Sequence, residues 1–192
     1  MTLQPVLEND IIKIRPLTDD DFESLYSIAS DPLLWEQHPN KDRYKKEVFT
    51  TFFEGAIKSG GAFVVYNVKT NEAIGSSRYY DLNEQSSSVC IGYTFIARDH
   101  WGKGANPALK KLMINFAFEH VNNILFHIGA VNIRSQKALK RIGVTKIDEM
   151  VMEYYGEAPK LNFIYQLKKE DWLKNANRRN ISLSTSKPKL KS

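Results

Sequence analysis

Two hydrophobic rhythms alternate along the chain. Ile11 to Pro16 (IIKIRP) sets an apolar residue at every second position, the period of a strand with one buried face. LTDDDF follows. Thr18 can cap a helix there, with Asp21 three residues on and acidic charge in the first turn, and that helix is expected to run to about Ala29, short of Pro32. After His38-Pro39 the spacing becomes helical. Tyr44, Val48, Phe49, Phe52, Phe53, Ala56 and Ile57 fall on one side of a second helix, which Gly60-Gly61 stops.

Three extended runs come next, residues 62–68, 72–81 and 88–97, with a turn-like Lys69-Thr70-Asn71 between the first two. An antiparallel meander is the economical arrangement. Leu109, Leu112, Met113, Phe116, Ala117 and His120 then recur at helical spacing. ILFHIG, ending at Gly129, is a short apolar strand, and NIRSQKALKRIG reads as a helix capped by Asn132 and closed by Gly143. VTKIDEMVMEYY and LNFIYQL supply two last strands. The order predicts an α/β domain with a mixed sheet of about seven strands.

The 192 residues suffice for one domain with a real core. No apolar run is long enough to span a bilayer, and MTLQPVLENDIIK has acidic residues where a signal peptide needs basic and apolar regions. A cytoplasmic protein with no membrane partner is expected. The net charge of +5 is uneven: after Asp171 there are no acidic residues, and Lys174, Arg178, Arg179, Lys187, Lys189 and Lys191 leave the body at −1. The expected division is a domain over residues 1–173 and a polar, disordered tail over 174–192. The tail's charges are spaced out with no interleaved aromatics, so a nucleic-acid partner is not expected. A single cysteine, Cys90, excludes an internal disulfide and argues against a thiolate-bound metal; no metal is expected.

Candidate chemistry concentrates in ARDHWGKGANPALKK. Spacing excludes a P-loop, since Gly102-Lys103-Gly104 is followed by Ala105, and a Rossmann turn, whose third glycine is replaced by Pro107. The segment still suits an anion. Glycines let successive N–H groups curl inward, and a helix N-terminus adds partial positive charge. Asn106 fits an N-cap, Pro107 is tolerated in the first turn, and Lys110 lies one turn on, within reach of a phosphate. A second helix starts at Asn132-Ile-Arg-Ser135, again straight after a strand. One ligand held between two helix starts is the simplest reading.

With these residues in view, the chain resembles the GNAT N-acetyltransferase superfamily, and most closely its RimJ/RimL-like branch. The family's acetyl-CoA signature is Q/R-x-x-G-x-G/A; here it is Trp101-Gly-Lys-Gly104-Ala-Asn106. NIRSQKALKRIG fits the branch's N-x-x-S helix, and IGYTFIARDHW resembles the strand with a bulge beside the thioester. The resemblance covers Ile11 to about Leu167. It implies a GNAT fold, a twisted, mostly antiparallel sheet with flanking helices and a splayed central strand pair. It also implies direct transfer of an acetyl group from acetyl-CoA, the co-substrate, to a primary amine on a protein N-terminus or small molecule, and it allows a homodimer.

By the resemblance, the pyrophosphate would sit on the N–H groups of Gly102, Lys103, Gly104, Ala105 and Asn106, beside Trp101 and Lys110. The pantetheine arm would pair with the backbone near Thr94, Phe95 and Ile96. Asn132 would cap and contact coenzyme A, and Ser135 would hydrogen-bond the departing thiolate. Arg134 and Lys137 could serve the 3′-phosphate. The departures are Trp101 for the usual Gln/Arg, Asn106 for a small residue, Cys90 for a glutamate, and Leu139 for a tyrosine that protonates the thiolate. The last two motivate an alternative, an acyl-CoA-binding module with little transfer. His127, Glu149, Glu153 and Tyr93 stand as open candidates for the base. Trp35 to Tyr44, Arg78-Tyr79-Tyr80 and Tyr154-Tyr155 are candidates for the acceptor wall or for packing.

Overall fold

The computed structural model, which describes residues 3–153, 155–156 and 158–175, places eight strands in one sheet. They are β1 (Leu7–Glu8), β2 (Ile12–Pro16), β3 (Ala62–Asn67), β4 (Ala73–Asn83), β5 (Ser88–Ile96), β6 (Asn123–Gly129), β7 (Thr145–Met152) and β8 (Lys160–Lys168). Their order across the sheet is β1-β2-β3-β4-β5-β6-β8-β7, and β5–β6 is the one parallel pair. The helices are α1 (Phe22–Ala29), α2 (Lys46–Lys58), α3 (Ala105–His120) and α4 (Ile133–Lys140). The α/β, mostly antiparallel architecture matches the sequence pattern.

Both sheet faces are covered, and the sequence shows why. In β3, Phe63 and Val65 join the cluster beneath α3, where Leu109, Met113 and Ala117 are fully buried. Ala62 and Val64 point the other way, onto Leu25 and Ala29 of α1 and Phe49, Phe52, Phe53 and Ala56 of α2. A strand buried on both faces needs the continuous apolar run AFVV rather than an alternation. Burying each of the α2 phenyl rings contributes about 2–3 kcal/mol of transfer free energy.

The entry to α1 forms as its residues dictate. Thr18 and Asp21 make a reciprocal capping box, and Arg15 clasps the Asp21 carboxylate through two hydrogen bonds of 2.6 and 2.8 Å. That pairing holds Asp21 below the usual carboxylate range against the cost of burial.

Three features differ from the sequence reading. An eighth strand, β1, pairs with β2 through Leu7 and Glu8; two residues carry no alternation to read. Residues 169–175 are helical, with Trp172 Nε1 donating to Asn115 Oδ1 at 2.9 Å, so ordered chain passes the expected boundary at 173. The rest of the tail, from 176, and Tyr154 lie outside the described residues. Finally, Asn106 is not the N-cap of α3: Gly104 is, at φ +88, and Asn106 sits inside the first turn.

One irregularity positions the site. β5 pairs with β6 only through Ser88, Val89 and Cys90, opposite Asn123, Ile124 and Leu125. Beyond Cys90 the strands part. There β5 carries a bulge: Tyr93 has φ +53, and the β4–β5 register shifts between Ser76 and Arg78. An extra residue on one strand bends it and strengthens its twist, which carries the end of β5 away from β6.

Candidate active site

The gap between β5 and β6 opens a cleft of about 950 Å³, counted to its mouth. Gly92, Tyr93 and Thr94 form one wall and Phe126 to Gly129 the other. Asn106 and Lys110 of α3, Asn132, Ser135 and Leu139 of α4, and the segment from His38 to Arg43 close it. Asn106 and Lys110 of α3 and Asn132 and Ser135 of α4 therefore meet at one cavity, whose lining does not include Trp101, Gly102, Lys103, Gly104 or Ala105.

The turn before α3 is built to present N–H groups. Gly102 and Gly104 take φ values of +74 and +88, which a side chain would strain. Among the described residues their N–H groups have no protein acceptor, and those of Ala105 and Asn106 belong to the first turn of α3, which has no intrahelical acceptor. Lys103 differs: its N–H reaches the His100 carbonyl at 3.4 Å. Asn106 Oδ1 is buried and unpartnered among the described residues, on a residue that lines the cleft. A buried polar atom without a partner carries an energetic cost, which a ligand can relieve.

Trp101 ties the two helix starts together. Its indole N–H donates to the Ile96 carbonyl at 2.7 Å, and the Arg134 guanidinium lies 4.1 Å over its ring. Arg134 also donates to Leu34 O at 3.2 Å, so it braces the loop before α2. On α4, Asn132 caps the helix by accepting from Ser135 N–H at 3.1 Å. The Ser135 hydroxyl has no protein partner among the described residues, on a residue that lines the cleft.

Thr94, Phe95 and Ile96 separate into different roles. Thr94 lines the cleft, its hydroxyl 2.8 Å from Ser77 Oγ. Phe95 and Ile96 send their side chains into the two cores, the Ile96 carbonyl accepts from Trp101, and neither residue lines the cleft. Lys110 directs its ammonium to Thr94 Oγ1, at 2.8 Å, rather than to the turn.

Of the base candidates, Glu149 lies on exposed β7 in an ion pair with Lys146 at 2.7 Å, and Glu153 is exposed beyond that strand. Neither lines the cleft. Tyr93 packs its ring beneath the Arg78 guanidinium, 4.0 Å away. His127 does line the cleft. Its Nε2 stands 3.7 Å from Cys90 Sγ, its Nδ1 is buried without a partner among the described residues, and burial pushes its pKa below the ordinary value despite the nearby Asp81 carboxylate.

Asp81, Cys90 and His127 bring their donor atoms within 4.8 Å of one another from β4, β5 and β6. Sequence spacing could not reveal this, because only strand register gathers them. The set could serve a metal ion, but desolvation pushes the Cys90 thiol up to about 12, so it stays protonated, which works against thiolate ligation. His38 and Arg43, within the Trp35 to Tyr44 stretch singled out in the sequence, line the cleft, but the sequence did not show their contact with each other. Arg43 is buried, 4.4 Å over the Phe52 ring and 3.2 Å from His38 Nε2, and burial plus the Arg43 charge keeps His38 neutral. The signal was the aromatic crowd around them, which is where a cation can be desolvated at tolerable cost.

Comparisons with known proteins bear on the fold and the family. The chain is 25% identical over 160 residues to a Bacillus subtilis (strain 168) protein named as the uncharacterised N-acetyltransferase YoaA, covering 79% of this chain and 88% of that one. Its fold resembles a GCN5-related N-acetyltransferase from Brucella melitensis, with TM-score 0.77 and 14% identity over 92% of this chain and 85% of that one. It also resembles a spermidine N-acetyltransferase from Vibrio cholerae, solved with CoA and spermine, with TM-score 0.65 and 16% identity over 86% and 99% of the two chains. No helix among the described residues is long and apolar enough to cross a membrane. A family model described as an acetyltransferase (GNAT) domain matches residues 12–145, and the chain belongs to that family of N-acetyltransferases.

Proposed function

We propose that this enzyme acetylates a primary amine, a protein N-terminus or a small molecule, by direct attack within a ternary complex. Coenzyme A would be held by the N–H groups of Gly102, Gly104, Ala105 and Asn106, with Asn106 Oδ1 and Ser135 adding polar contacts. When bound, its thioester supplies the activated acetyl group. The free β5 edge beyond Cys90 offers the pantetheine arm a strand partner, as the branch resemblance to RimJ/RimL-like enzymes implies. A cytoplasmic setting suits this co-substrate.

The observation that carries the reading is a neutral imidazole at the same splay. His127 would take the amine's proton; its Nε2 lies 3.7 Å from Cys90 Sγ, and a ring nitrogen lies within 4.8 Å of the Asp81 carboxylate. Asp81 then stabilises the imidazolium that forms. A peptide α-amine has a pKa of about 8, against about 10.4 for lysine, so a base of this strength suits the former better. Arg43, Lys110 and Lys160 line the cleft, and no carboxylate does among the described lining residues. A polyamine, which needs anionic partners, is therefore a poorer acceptor than an α-amine.

The test follows thiol release from acetyl-CoA with a panel of N-terminal peptides, amino acids and polyamines. Turnover is expected with α-amines and not with spermine, and His127→Gln should lower kcat roughly 10²–10⁴-fold. Binding of acetyl-CoA without turnover on any amine would favour the alternative reading, a binding module, for which Leu139 and Cys90 speak.

A further inference from the structure

The family's thiolate-protonating tyrosine has no counterpart here: Leu139 occupies its place and is buried in the core. Another group stands at the splay. Lys110 projects from the inner face of α3, one and a half turns into the helix, and donates to Thr94 Oγ1 in the residue that follows the β5 bulge. Thr94 in turn shares a 2.8 Å hydrogen bond with Ser77. Lys110 lines the cleft, and its hydrogen bond to Thr94 keeps the ammonium there rather than at the turn before α3. No acidic side chain pairs with Lys110 among the described residues, while Phe126 lies 5.7 Å below it. A cation kept in a desolvated cleft without a counter-ion is costly, and the fold gains nothing evident from it.

We infer that Lys110 is the catalytic acid that protonates the sulfur of coenzyme A as it departs. This rests on the acetyl-transfer reading above. As the amine nitrogen bonds to the acyl carbon, the carbon–sulfur bond breaks and its electron pair leaves on sulfur. Lys110 gives one proton from Nζ to that sulfur, becomes a neutral amine, and is recharged from solvent; the proton of the attacking amine goes to His127. Thr94 holds Nζ in place at the bulge. Desolvation pushes the Lys110 pKa down to about 7, so both forms are accessible at neutral pH, as a recycled acid requires. The other titratable groups around this cleft are His38, Arg43, Tyr80, Tyr93, His127 and Lys160.

Two ligands separate a sulfur contact from a phosphate contact: coenzyme A and its desulfo analogue, in which hydrogen replaces the thiol. Calorimetric titration of each from pH 6 to 9 is compared for wild type, Lys110→Met and Thr94→Val. Wild type should prefer coenzyme A by roughly tenfold or more, the worth of a charge-assisted hydrogen bond. Lys110→Met should erase the preference and leave desulfo binding within about twofold, and kcat should fall about 10²-fold or more. Thr94→Val should weaken the preference in the same direction, and it carries the test if the methionine variant does not fold. Equal loss of both ligands in Lys110→Met would make Lys110 a phosphate or pantetheine anchor and overturn the inference. So would a wild type that binds both ligands alike. A wild type that binds neither would overturn the cofactor assignment itself, and the Lys110 role with it.

Discussion

Gly104 offers a test in which the effect of one negative charge changes sign between the free and the liganded protein. It ends the turn proposed to bind the pyrophosphate, at φ +88, and a Cβ added there would meet only Ile11 Cδ1, at 3.9 Å. A side chain fits the space, so its cost is conformational, about 1–2 kcal/mol for an L-residue in the left-handed region and less for Asn or Asp. Gly104→Asn and Gly104→Asp share that cost and nearly the same shape; they differ by one negative charge. In the free protein the carboxylate sits at the N-terminus of the 16-residue α3, where it gains about 0.3–1 kcal/mol. The Asp variant should therefore melt no lower than the Asn variant. With a phosphate about 5 Å away, at an effective dielectric near 20, the same carboxylate meets roughly 3 kcal/mol of repulsion. Acetyl-CoA should then bind the Asp variant roughly 100-fold more weakly than the Asn variant, and added salt should narrow the gap. Calorimetry at two ionic strengths reads this directly. Two folded variants with equal affinity would refute the assignment of the pyrophosphate to this turn.

Other expectations reach the rest of the molecule. Asp21→Asn breaks the Arg15 clasp and half of the capping box, and should cost about 2–4 kcal/mol in urea unfolding, with the midpoint lowered and the slope unchanged. His38 and His127 are held neutral, so the unfolded chain binds more protons than the folded one below the ordinary histidine value of 6.5. Their contribution is complete above pH ~6.5 and is lost as pH falls, by at most about 2.7 kcal/mol per pH unit for the two together; His38→Gln should flatten that slope in melts from pH 7 to 5. Lys110→Met should raise the melting temperature of the unliganded protein at neutral pH by relieving about 1–3 kcal/mol of desolvation. That gain should shrink as pH approaches 10.5, where the unfolded lysine also loses its proton.

Long periodic segments were legible from sequence because one rule governs each of them. The α2 stripe of Phe49, Phe52, Phe53 and Ala56 and the doubly buried AFVV run both follow directly from where their side chains must go. The glycine turn and the Asn132 cap were equally plain, since left-handed backbone and helix caps restrict residue choice. The partners of the site's residues were not. His127 stood among the base candidates and Lys110 among the phosphate contacts, but His127, Cys90 and Asp81 meet only through strand register, and the Lys110 ammonium turns to Thr94 rather than to the turn. Asn106 fits a cap on sequence alone because Asn-Pro opens many helices; Gly104 takes that place because the turn needs two left-handed residues before α3 can start.

Titrating acetyl-CoA into the wild-type protein decides whether the β5–β6 splay is a coenzyme A site. One saturable site per chain is expected, with a melting temperature that rises with ligand concentration, by about 2.7 kcal/mol of added stability at 100 times Kd. Absence of heat and an unmoved melting temperature, in a protein shown to be folded, would contradict it.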